Sequence, residues 1–131
     1  MLRRAWVCAA ILFCLSSPTR AAGIQLLERG PGLTGAIWYP CAAEGQSVSL
    51  GSLGIAAWQD SLPGVKDCPV AGTRLPLVIV SHGRGGWFAG HYDVAGALAS
   101  AGFIVAAINH PGDTVNDDSH RDDLSIRARR I

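Results

Sequence analysis

A chain of 131 residues has room for one domain, and 49% hydrophobic against 16% charged side chains describes a chain that buries a core instead of staying disordered. The formal net charge is +1, and with Arg3, Arg4 and Arg20 set apart as part of a leader, eight basic side chains remain against ten acidic ones. No concentrated positive surface is left for phosphates, so no nucleic-acid partner is expected.

The first residues read as an address. Arg3 and Arg4 form a basic start, Ala5 to Leu15 an apolar stretch, and Thr19-Arg20-Ala21 a small-x-small cleavage pattern. A signal peptide over residues 1–21 is expected, with cleavage near Ala21 or Ala22, leaving residues 22–131 as an exported domain, periplasmic or secreted. The apolar run falls short of the roughly 20 residues that cross a bilayer, so no stable membrane insertion is expected. Cys14 follows the bulky Phe13, which argues against a lipidation site. Cys8 and Cys14 leave with the leader; Cys41 and Cys68 then meet an oxidising compartment, where a disulfide is the expectation and two buried thiols the alternative. Neither spacing nor neighbouring histidines suggest zinc.

From Gly23 to Tyr39 the text alternates apolar with small or polar residues around Gly30-Pro31-Gly32, which predicts a β-hairpin. Residues 41–74 are rich in Gly, Ser, Ala and Pro without a sustained period, and predict a long surface excursion stapled at its base by the two cysteines. Leu75 to Ser81 is a continuous aliphatic run, the pattern of a parallel strand covered on both faces. A Gly-rich loop follows. His91 to Ala101 then predicts a helix with Val94, Ala97, Leu98 and Ala101 on its packed face and Gly102 as a left-handed cap. Phe103 to Ile108 is a second apolar strand, so residues 75–108 read as a βαβ unit and the class as α/β. Asn109 to Asp123 is polar and turn-rich, and Leu124 to Ile131 looks like the start of another helix.

The loop Ser81-His82-Gly83-Arg84-Gly85-Gly86-Trp87 can turn backbone N–H groups toward a ligand. A dinucleotide fingerprint fails because Phe88 stands where the third glycine belongs. A phosphate-binding P-loop fails because His91 and Tyr92 stand in place of Lys and Ser or Thr. The remaining use is an oxyanion hole, in which an N–H from the loop between strand and first helix stabilises a tetrahedral intermediate.

The stretch SHGRGGWFAGHYDVAGALASAGFIVAAINHPGD, with Trp38-Tyr39-Pro40 upstream, resembles the dienelactone hydrolase and platelet-activating-factor acetylhydrolase type of α/β-hydrolase over roughly residues 35–125. The resemblance implies a partial α/β-hydrolase fold, an N-terminal hairpin followed by a βαβ unit of a mainly parallel sheet, truncated before the nucleophile elbow. It also implies that Arg84 gives its backbone N–H to the oxyanion hole, with Gly83, Gly85 and Trp87 against substrate, and that residues 109–123 lie near the substrate entrance. The substrate class implied is a small ester or lactone, with no cofactor.

No serine stands in a G-x-S-x-G context, and Cys41 and Cys68 do not lie between a strand and a helix, so no nucleophile can be named. In such folds the base follows the nucleophile, which leaves His82 as a turn-stabilising residue and gives His91 and His120 no catalytic place. His110, Asp113, Asp117, Asp118 and His120 match no metal spacing and read as solvated loop charges, so no metal is expected. Arg127, Arg129 and Arg130 read as the exposed face of a helix. The chain by itself is expected to be inactive. Two alternatives stand beside this: a non-enzymatic exported binding module, and half of a hydrolase completed by a second chain. In the first, Phe103 to Ile108 would be left as a bare hydrophobic edge.

Overall fold

The computed structural model describes residues 21–29, 32–55 and 59–123. Nearly all of the leader segment, the Gly30-Pro31 tip of the hairpin and the helix expected from Leu124 lie outside the described residues.

The expected hairpin is present as β1 (Ala22–Arg29) and β2 (Leu33–Pro40), antiparallel in the register Ile24 opposite Trp38 and Leu26 opposite Ala36. Alternation sends Ile24, Ala36 and Trp38 to one face, where all three are buried. Burying Ile24 alone contributes about 1.5–3 kcal/mol.

Residues 41–74 do not form a surface excursion. They contain β3 (Gln46–Ser49), a 3-10 turn at Gly51–Leu53 and β4 (Ser61–Lys66), and these strands extend the sheet. β3 runs antiparallel to β4, and β4 runs parallel to β1. Val48, Leu50, Leu53 and Leu62 from this stretch are buried in the main core. Two short strands, one interrupted by Pro63-Gly64, show too few alternations for a period to be read. Gly64 is needed for the close fit, since a Cβ there would lie 2.5 Å from the Ile24 side chain and 2.8 Å from the Ala22 carbonyl oxygen. Cys41 and Cys68 are disulfide-bonded, with Cα atoms 6.1 Å apart, and close the segment at its base as expected.

β5 (Leu77–Ser81) leads through the Gly loop to α1 (Tyr92–Ser100) and then β6 (Ile104–Ile108), the strand, helix, strand order that the apolar runs predict. The six strands form one mixed sheet in the order β3-β4-β1-β2-β6-β5. β6 is therefore interior, antiparallel to β2 and parallel to β5, and the expectation that it would lack a neighbour is wrong. Among the described residues the two edges of the sheet are β3 and β5. β5 is not covered on both faces: Leu77 and Ile79 are 61% and 64% exposed. A continuous apolar run signals that both faces can be buried, while the covering layer must come from elsewhere in the fold.

α1 lies over β1, β2 and β6 and buries Ala95 and Ala99, with Tyr92 and Leu98 packed beside them. The packed face is thus rotated from the expected one, and Val94 is half exposed. Apolar residues ring much of this helix, and the two alanines win because small side chains let helix and sheet approach closely. Gly102 has φ of +101° and donates to the Ala99 carbonyl at 3.0 Å, the expected left-handed cap.

Candidate oxyanion loop

β5 delivers the loop at its C-terminal end, and the segment after β6 holds it there. Gly86 N–H donates to the Gly83 carbonyl at 3.0 Å, closing a four-residue turn in which Gly85 has φ of +63°. That left-handed third position favours glycine.

His82 is buried, and its ring ties both sides of the site together. Its Nδ1 lies 2.8 Å from the Gly83 carbonyl oxygen, and its Nε2 accepts the His110 backbone N–H at 3.0 Å. A carbonyl only accepts and an amide only donates, so the network assigns the neutral ring with the proton on Nδ1. The His110 ring stacks on it with centroids 4.1 Å apart, and His110 Nε2 lies 3.0 Å from the Ser81 hydroxyl. His82 thus sits where a turn-stabilising residue would.

Gly83 C=O and Arg84 N–H belong to one peptide unit. In a trans peptide they point in opposite directions, so pinning the carbonyl with two donors also fixes the direction of the N–H. Among the described residues the Arg84 backbone N–H has no hydrogen-bond partner, whereas the amides of Gly85 and Gly86 are both engaged. Its side chain extends to an ion pair with Asp122.

Asp113 is completely buried and accepts the Gly85 N–H at 2.7 Å. Arg121 approaches the same carboxylate with Nε at 3.9 Å and donates through Nη2 to the Thr114 carbonyl at 3.0 Å. Val115 N–H donates to the Gly86 carbonyl at 3.0 Å, beside a parallel bridge between Gly86 and Thr114. Asn109 accepts the Phe88 N–H at 2.8 Å and donates to the Thr34 hydroxyl at 3.0 Å, which anchors the far end of the loop to β2.

Not all of residues 109–123 are the solvated charges expected. His110 and Asp113 are buried, and Asp113 carries structure; Asp117, Asp118 and His120 are exposed. The Asp117 carboxyl is held below its ordinary value of 3.8, chiefly by the Ser119 hydroxyl and then the Ser119 amide, with Gly112 N–H and the nearby His120 adding to the effect. Asp118 stands 3.7 Å from Arg121. His91 is exposed at the start of α1. Sequence reasoning missed Asn109 and the role of Asp113. The one available signal was the apolar strand before them: Asn109 follows β6 directly and Asp113 lies in the turn beyond it.

Beside the turn is a cavity of about 270 Å³ lined by Ile55, Gln59, Gly85, Gly86, Trp87, Ala89, Gly90, Tyr92 and Val115, predominantly apolar. Gly85 and Trp87 both face it. Trp87 is otherwise buried, with its indole N–H donating to the Leu53 carbonyl at 3.1 Å. Gly83 is exposed and its carbonyl is committed to the turn. A larger open cavity, lined by Leu26, Glu28, Ser49 to Ser52, Lys66 and Asp67, shares no residue with the Gly loop.

A mixed sheet carrying a strand, Gly-turn, helix, strand unit is compatible with a partial α/β fold. The family model described as platelet-activating factor acetylhydrolase, isoform II, matches residues 53–120, just over half the chain, and the chain belongs to that family, within the α/β-hydrolase superfamily. A search of curated proteins finds no match.

Proposed function

We propose that this chain supplies the oxyanion-donating loop of an exported ester hydrolase, Arg84 N–H being the donor, and that the attacking group, acid and base come from outside these 131 residues. One observation carries the reading. Of the three amides at positions 84–86, only that of Arg84 is left without an acceptor among the described residues, and its direction is fixed through the Gly83 carbonyl. An N–H held in advance toward a developing negative oxygen costs no reorganisation during reaction, and removing one such donor typically slows turnover about 10²–10³-fold.

The apolar cavity next to Gly85 and Gly86 suits the acyl or alcohol part of a small ester or lactone. The Cys41–Cys68 bridge supports passage through an oxidising compartment. The open edge of β5, with Leu77 and Ile79 exposed, favours completion by further polypeptide, in the same chain or a second one, over a self-sufficient binding module.

Two measurements test this. The purified chain is expected to hydrolyse 4-nitrophenyl acetate and butyrate no faster than a heat-denatured control, and turnover above that control overturns the inactivity. In a ¹⁵N-labelled sample, acetate is expected to shift the Arg84 amide resonance more than any amide of the β1–β2 ladder. An unresponsive Arg84 amide sinks the oxyanion assignment.

A further inference from the structure

We propose that Asp113 is the positioning residue of this loop: by sequestering the Gly85 N–H it decides which amide of the turn is left to face a substrate oxygen. The inference rests on the reading of Arg84 as oxyanion donor and goes beyond it by naming what withdraws the neighbouring amide from competition.

Three glycines at 83, 85 and 86 make the turn intrinsically permissive, so its conformation has to be imposed from outside. Two groups impose it. The peptide unit between Gly83 and Arg84 is fixed through the Gly83 carbonyl, which accepts from His82 and Gly86. The next unit, between Arg84 and Gly85, is fixed through the Gly85 N–H on Asp113 at 2.7 Å. With the planes on both sides of the Arg84 Cα fixed, that residue's backbone angles are determined and its N–H can point only one way.

A carboxylate suits this task better than other acceptors. It offers no donor that could bind a substrate oxygen itself, and its charge shortens and strengthens the bond to an N–H. A carboxylate with no exposed surface is costly unless compensated, and Arg121 supplies the compensating charge. The same guanidinium lies over the turn, since a Cβ built on Gly85 would meet it at 3.3–3.4 Å. The segment after β6 thus closes on the loop through Asp113, Val115 and Arg121.

The test uses the full chain in solution. In the wild type, a scalar coupling across the hydrogen bond from the Gly85 nitrogen to the Asp113 carboxyl carbon is expected. In Asp113→Ala, the Gly85 amide should exchange about tenfold faster or more, as expected for loss of a hydrogen bond to a charged group. The acetate response, confined to Arg84 within the turn of the wild type, should spread to the freed Gly85 amide, while amides of the β1–β2 ladder keep their wild-type shifts. Asp113→Asn retains an acceptor oxygen and should restore the slow exchange and the confined response. Wild-type behaviour of Gly85 and Arg84 in a folded Asp113→Ala overturns the proposal. Should the alanine variant fail to fold, the wild-type coupling and the asparagine variant decide, and a missing coupling overturns it. An acetate response absent even in the wild type would defeat the oxyanion reading, whereas the Gly85 coupling and exchange would still report separately on Asp113.

Discussion

At the scale of single residues, the site is built from side chains serving backbone groups. His82, Asn109 and Asp113 each bind peptide groups of the Gly loop or of the segment facing it. Asp117 does the same for the 112–119 turn, accepting from Gly112 N–H, Ser119 N–H and the Ser119 hydroxyl. Because these donors favour the charged form, its folded pKa is depressed below the unfolded value near 3.8. The stabilisation of the turn is therefore fully present above that value and is lost as pH falls through the lower folded pKa. A titration followed at the Asp117 carboxyl carbon should show a midpoint under 3.8, moving back toward it in Ser119→Ala. An unmoved midpoint would contradict the hydroxyl as first cause.

At the scale of elements, the segment between β2 and β5 is where composition misled and covalent chemistry did not. Gly- and Pro-rich text with weak alternation concealed two strands, because Val48 and Leu62 become core residues only by pairing with each other and through the docking of β4 on β1. The cysteines were legible, since their meaning depends on compartment and count more than on period. The bridge spans 27 residues of sequence and closes β3 and β4 into one unit. Its removal in Cys41→Ser/Cys68→Ser is expected to lower unfolding stability by about 2–4 kcal/mol, measured by urea denaturation. A loss under about 0.5 kcal/mol would show that packing alone holds β3 and β4 on the sheet. For α1 the element and its cap were readable, while the buried face was decided by which small side chains fit the sheet.

At the scale of the whole molecule, one face of the sheet is packed and the other is only partly covered. α1 and the residues around Trp38 and Phe88 fill the first. On the second, Tyr39 and the Cys41–Cys68 bridge form a small cluster with Ile37, Val65 and Ile104, while Leu77 and Ile79 of the edge strand β5 remain exposed. An open apolar edge is a template for unwanted pairing. The purified chain is expected to associate at micromolar concentrations, and Ile79→Lys to raise its monomer fraction in size-exclusion chromatography without altering far-UV circular dichroism. A wild-type chain that stays monomeric at high concentration would argue that this edge needs no partner.

The sequence by itself determined the hairpin and the strand, loop, helix, strand unit, and it pointed to the disulfide pair and the family, because each is written in local pattern or in residue types whose chemistry carries its own meaning. Only the tertiary structure decided that β6 is interior and β5 an edge, that residues 41–74 join the sheet, and that Asp113 is buried under the Gly loop. These depend on which surfaces meet across long sequence separations, and a buried carboxylate reads the same as a solvated one until the amide it serves is brought to within 2.7 Å.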